Sequence, residues 1–157
     1  MERENNSDIK NVNSQQLKLA KPHYNLGKVL AKKGEWEEAI ASYRKSVEVN
    51  PDFADVYQCL GDALVETGEK EEAIRVYQKA VEIEPNLWEI QHKLGNLLQE
   101  IGQLDEAVGA SKKSIELNPD FSWSYNNLGN VLLKLGKWEE AITIYRQAIE
   151  LNSNFEW

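Results

Sequence analysis

Cysteine is nearly absent from this 157-residue chain: Cys59 is the only one, so no intrachain disulfide can form, which suits a reducing compartment and predicts a cytoplasmic protein. Histidine is almost as scarce. His23 and His92 stand 69 positions apart with no ligand-spaced companions, so no metal site of the usual His and Cys clustering is expected. There is no apolar run of the roughly 20 residues that span a bilayer. Mean hydropathy is -0.59, and the opening MERENNSDIKNVNSQQ has no apolar stretch of the kind that marks a secretory signal. Positive charge is also in deficit. With 18 Lys and Arg against 26 Asp and Glu, the net charge of -8 argues against general affinity for nucleic acid, whose binding is dominated by cations on phosphate. No cofactor is implied. Cys59 has no base near it in sequence and reads as a small packing residue. The pairs Glu37 and Glu38, Glu71 and Glu72, and Glu139 and Glu140 open helices, where negative charge complements the dipole, so they are not an acid-base couple. No catalytic residue is identified.

What is present is a period. Gly27, Gly61, Gly95 and Gly129 lie 34 residues apart, and Gly34, Gly68, Gly102 and Gly136 repeat the interval seven residues later. Ala39, Ala73, Ala107 and Ala141 keep the same step, as do Tyr43, Tyr77, Ser111 and Tyr145, and then Pro51, Pro85, Pro119 and Ser153. A fixed period of this length means stacked supersecondary units. Within each unit an apolar stripe at helical spacing, such as Val56, Leu60, Ala63 and Leu64, stops at a glycine. A second stripe, Ala73, Ile74, Tyr77, Ala80 and Val81, stops before a proline. The spacing predicts eight helices paired antiparallel, over about 21–33, 37–49, 54–67, 71–83, 88–101, 105–117, 122–135 and 139–151. Asp52 with Asp55, and Asn86 with Glu89, have capping-box spacing before their helices. The mid-helix glycines each cost about 1 kcal/mol against alanine. A packing return is therefore expected, with Ala39, Ala73, Ala107 and Ala141 as the partners that let paired helices approach.

Tyr57, Leu60, Gly61, Leu64, Gly68, Ala73, Tyr77, Ala80 and Pro85 together spell a known signature. The chain resembles the tetratricopeptide repeat (TPR) family, in four units over 20–53, 54–87, 88–121 and 122–155. The resemblance implies an all-α, right-handed α-solenoid superhelix whose concave groove binds a protein or peptide. Residues 1–19 fit no repeat and read as a polar segment, loose to about Val12, with Asn13 or Ser14 opening a short helix and Pro22 in the first turn of the first repeat helix. Phe155-Glu156-Trp157 echoes Phe121-Ser122-Trp123, so 156–157 read as the start of a truncated fifth repeat. Two alternatives stay open for the last helix around Ile142, Tyr145 and Ile149: a longer protein continues over it, or it packs end to end on another chain.

The family places ligand-facing residues on the first helix of each pair. Carried over, these are Tyr24, Asn25 and Lys28; Gln58 and Asp62; His92, Lys93 and Asn96; and Trp123, Asn126, Asn127 and Asn130. The lining passes from basic through acidic to amide-rich, which suits an extended peptide. The carboxylate clamp of chaperone-tail binders is not matched. Asn25-Leu-Gly and Asn127-Leu-Gly are similar to the asparagine ladder in the repeat region of O-linked N-acetylglucosamine transferases, interrupted here by Cys59 and Lys93. That similarity implies a second function, substrate recruitment for a larger transferase. Trp36 and Trp138 read as turn-packing residues. Gly109-Ala110-Ser111 thins the third unit, and neighbouring Trp123 and Tyr125 are expected to fill the space.

Overall fold

A computed structural model describes the backbone of residues 2–153 and the side chains of residues 14–152. It is all-α, with no strand among the described residues: α1 (Glu2–Lys33), α2 (Trp36–Val49), α3 (Ala54–Glu66), α4 (Lys70–Ile83), α5 (Trp88–Glu100), α6 (Leu104–Leu117), α7 (Ser122–Lys134) and α8 (Trp138–Ser153). The chain divides into two compact units, residues 1–83 and 84–157. In the first, α1 packs on α2, α2 on α3 and α3 on α4; in the second, α5 packs on α6, α6 on α7 and α7 on α8.

Each pair is closed by the same turn. In the second, the Gly68 amide donates to the Val65 carbonyl (3.0 Å) and the Glu69 amide to the Leu64 carbonyl (2.8 Å), so two carbonyls at the helix end are satisfied by backbone. Gly68 reaches this with φ of 85°, a conformation in which a β-carbon would be strained. The pair-to-pair connections differ from the expected capping boxes. Phe53, Leu87 and Phe121 are the N-cap residues, and none makes a side-chain cap. Instead the Val56 amide bonds the Phe53 carbonyl (3.1 Å) and the Ser124 amide the Phe121 carbonyl (3.0 Å). An apolar N-cap turns its ring inward: Phe53 packs 5.1 Å from Tyr24, and Phe121 4.7 Å from Trp88. Burying an aromatic ring outweighs one exposed cap bond.

Both ends of the helix series depart from the expected bounds. α1 runs unbroken from Glu2, so Pro22 lies inside a helix and not in a first turn. Pro22 has no amide to offer the Lys18 carbonyl, one lost bond within a helix of 32 residues. α8 continues to Ser153, two residues past the point where α2, α4 and α6 stop. The reason is local: Pro51, Pro85 and Pro119 bar helix just ahead of them, and Ser153 does not. The expected fifth-repeat start at 156–157 lies outside the described residues.

The mid-helix glycines have a different partner from the one expected. A β-carbon on Gly27 would stand 2.5 Å from the Tyr43 ring, and one on Gly129 would stand 2.6 Å from the Tyr145 ring; Gly61 is covered by Tyr77 in the same way. The alanines at 39, 73, 107 and 141 are buried, but the tyrosine ring is what the glycine makes room for. In the third pair Ser111 takes the tyrosine's place. There a Gly95 β-carbon would meet Ser111 Oγ at 2.7 Å, the Ser111 backbone nitrogen at 3.5 Å and the Ala107 carbonyl at 3.6 Å. With no ring in the way, the serine hydroxyl and the α6 backbone are the groups that face this glycine. Trp123 does not fill the space as expected, since it is exposed; the Tyr125 hydroxyl donates to the Pro119 carbonyl (2.9 Å).

Candidate functional site

In the first unit, three of the expected groove residues come together. Tyr24 is stacked at a tilt on Tyr43 (6.3 Å) and Phe53, and the Lys28 ammonium lies 5.1 Å from the centre of the Tyr24 ring. Lys28 and Asp62 line one open pocket of about 320 Å3, together with Lys32, Trp36, Tyr43 and Cys59. The pocket is built by three helices. α1 supplies the lysines, α2 the two aromatic walls, and α3 the thiol and carboxylate. Asn25 is exposed and Gln58 half-buried, and neither lines this pocket.

The thiol is a packing group. The Cys59 thiol lies 4.0 Å from the Tyr24 hydroxyl, and burial pushes its pKa up, so it stays protonated at neutral pH. Burial, with the Cys59 and Asp55 charges behind it, likewise raises Tyr24 to about 12. Both groups therefore present neutral surface. The lysines carry the pocket's positive charge, and Asp62 is already engaged, accepting a 2.5 Å hydrogen bond from the Tyr77 hydroxyl.

The second unit joins three other groove residues, His92, Asn96 and Asn127, through a hydrogen-bond network that continues to Ser124 and Ser114. Ser114 Oγ lies 3.0 Å from the Trp88 carbonyl, which can only accept. Ser114 must therefore accept from Ser124, 2.8 Å away, which uses Ser124's one hydrogen. Ser124 Oγ also lies 3.3 Å from His92 Nδ1, and the Asn96 amide nitrogen lies 3.3 Å from Nε2. The Asn127 amide nitrogen, which can only donate, lies 3.1 Å from the same Nδ1. Phe121 meets the imidazole edge-on at 5.0 Å. Burial, and then the charge of Lys93, lowers the His92 pKa. The imidazole is thus neutral and ties α5 to α7.

The remaining expected residues are placed variously. Asn130 accepts a 2.5 Å hydrogen bond from Tyr145, repeating the Tyr77 and Asp62 pair two repeats later. Asn126 and Lys93 are half-buried. Trp123 is 64% exposed. Trp36, expected to be a turn-packing residue, is half-buried and walls the pocket of the first unit. The sequence reading passed over Ser124, which carried a signal: a serine stands where Val56 and Ile90 hold the same phase. Among the described residues no His, Cys, Asp and Glu group could hold a metal, and no helix is long and apolar enough to cross a membrane.

Comparison with known proteins points the same way throughout. Solved structures similar in fold include a crystal structure of MamA, 27% identical over 90% of this chain and 85% of that one, with a TM-score of 0.83. A second MamA structure is 28% identical over 88% and 77%, with a TM-score of 0.82. MamA from Desulfovibrio magneticus RS-1, residues 41 to its end, is 20% identical over 88% and 78%, with a TM-score of 0.81, and so shows likeness of fold alone. Curated protein sequences give no match. The TPR repeat model matches residues 27–68, 61–102 and 96–136, and the tetratricopeptide repeat model matches 122–155. With its helix pairs, its glycine turns and these matches across the repeats, the chain belongs to the tetratricopeptide repeat family.

Proposed function

We propose that this chain is a protein-binding scaffold whose first-helix faces take an extended peptide. The observation that carries the reading is the pocket of about 320 Å3 in the first unit, aromatic on one side and edged by Lys28 and Lys32. Such a site accepts a side chain with an apolar body and an anionic end, or an apolar residue beside an acidic one. In the second unit the exposed ring of Trp123 offers a flat apolar contact, and the amide of half-buried Asn126 can bond peptide backbone. Family membership supports the scaffold role in general; the chemistry of the lining supports the peptide class.

The test uses short acidic and basic peptides, each with a central aromatic or leucine, titrated against the protein while Trp fluorescence is followed. Acidic peptides are expected to bind, and Lys28→Glu with Lys32→Glu is expected to weaken them by about tenfold or more, equivalent to roughly 1.4 kcal/mol. Equal affinity for acidic and basic peptides, or an unchanged affinity in the lysine variant, overturns the reading. Trp123→Ala reports on the second unit separately.

A further inference from the structure

The repeat provides an internal standard for which faces of a helix are meant to be covered. α3 packs behind α1 and α2, and its Leu60 is 3% exposed, with Val56 and Ala63 buried beside it. At the same phase α1 carries Pro22, Leu26 and Val29, and Leu26 is 51% exposed. The complementary face shows the same contrast. Ile40 of α2, with α3 packed behind it, is 5% exposed, whereas Ile142 at that phase of α8 is 51% exposed, with Trp138 and Ile149 exposed on the same stripe. α1 therefore presents a face built to lie on a second helix of a pair, and α8 presents a face built to receive a first helix.

We infer that these two faces dock on each other between copies of this chain, α1 of one copy lying antiparallel on α8 of the next. Charge selects this occupant. Between residues 14 and 33 the sequence has Lys18, Lys21, Lys28, Lys32 and Lys33 and no acid, whereas α8 has Glu139, Glu140 and Glu150 against Arg146. The order of the charges fits as well. Lys18, Pro22, Leu26, Val29 and Lys33 follow one helical stripe, with lysine at each end of the apolar stretch. Successive helices joined by short turns run antiparallel, as α2 and α3 do, and the same orientation sets Lys33 toward Glu139 and Glu140 and Lys18 toward Glu150. Lys33 already pairs with Glu35 in its own chain, so it joins an existing cluster. The contact joins unlike faces, so where a pair of copies leaves one α1 face and one α8 face unused, association continues beyond a dimer.

The experiment measures mass by sedimentation equilibrium for the full chain, for Leu26→Glu, for Ile142→Lys, and for an equimolar mixture of the two variants. The full chain is expected to gain mass with concentration past the dimer, and less so at high salt, which screens the charged rim. Each variant alone is expected to weaken association by about tenfold or more, since each loses a buried apolar side chain from the contact. The mixture is expected to recover association and stop at one copy of each, because only one intact α1 face and one intact α8 face remain. Both residues are half exposed, and helicity by circular dichroism checks each variant's fold. If either charge variant loses helicity, Leu26→Gln and Ile142→Gln take their places in the same scheme. A chain that stays monomeric at every concentration overturns the inference, and assigns the α8 face to some other segment. So does a Leu26 variant that still dimerises, which means α8 meets α8, and so does a mixture that fails to associate.

Discussion

Ser111 is the one described buried polar atom without a hydrogen-bond partner, and it sits where three sister repeats have a tyrosine. A buried hydroxyl left unpaired costs about 1–3 kcal/mol, and Ser111→Ala removes it while keeping the close approach of α6 to Gly95. Urea unfolding is expected to show that variant more stable than the native chain by about 1 kcal/mol. Gly61→Ala should go the other way. Its new methyl group would overlap the Tyr77 ring, which is buried and held by Asp62, and overpacking of this kind costs about 1–3 kcal/mol. Gly109→Ala is the control. Nothing lies within 4 Å of that position, so only helix propensity acts and a gain of about 0.5–1 kcal/mol is expected. Three glycine or serine changes to alanine thus differ in sign for stated reasons, and one denaturation series checks them.

At the scale of the element, the pH response of the α5–α7 contact follows from His92. Burial lowers its folded pKa below the usual value of about 6.5, so between the two values the unfolded chain binds more protons than the folded one. Stability is therefore full above about pH 6.5 and is lost as pH falls through the folded pKa. The groups around the ring are Asn96, Ser124, Asn127, Phe121 and the Lys93 charge, so no carboxylate among these contacts compensates. Replacing His92 with Asn should flatten the loss of stability between pH 6.5 and 5, read as thermal midpoints across that range. Element positions themselves were legible from sequence, because the glycine turn and the proline stop are local rules that act within a few residues. The exception is α8, expected to stop at 151, which runs on to Ser153 because no proline stands there. The groove was less legible. The phases of Tyr24, Lys28 and Asp62 put them on first helices, but Trp36 entered the same pocket from α2, and a pattern read along one helix does not reveal what a neighbouring helix contributes. The N-caps failed for a related reason: Phe53 and Phe121 are chosen by rings they meet 29 and 33 residues upstream, Tyr24 and Trp88 respectively, and not by the polar residues beside them.

For the whole molecule, stability in a repeat array is close to a sum of unit and neighbour terms. Helices with neighbours on both sides, α2 and α3 in the first unit and α6 and α7 in the second, should therefore open least often. Amide hydrogen exchange is expected to be slower in these four than in α8, whose Ile142 and Ile149 lack cover. Raising protein concentration should slow α8 specifically if copies dock there, since binding to the folded state alone adds protection by mass action. Uniform exchange across all eight helices would contradict the additive picture.

The tyrosine that lies over the glycine in three of the repeats also decides what the groove can offer. Tyr77 donates to Asp62 and Tyr145 to Asn130, and in both cases the acceptor is the residue directly after the glycine. A residue in that place can serve its own helix pair or a guest, and the tyrosine settles which. In the first repeat the place is held by Lys28, an ammonium with no lone pair to give, and the Tyr43 hydroxyl turns to Cys59 instead. Both Lys28 and Asp62 line the pocket, but only Asp62 comes to it already bound by its tyrosine. One substitution after a glycine can thus convert an internal fastening into a point of recognition, leaving the helix bounds and the turns as they were.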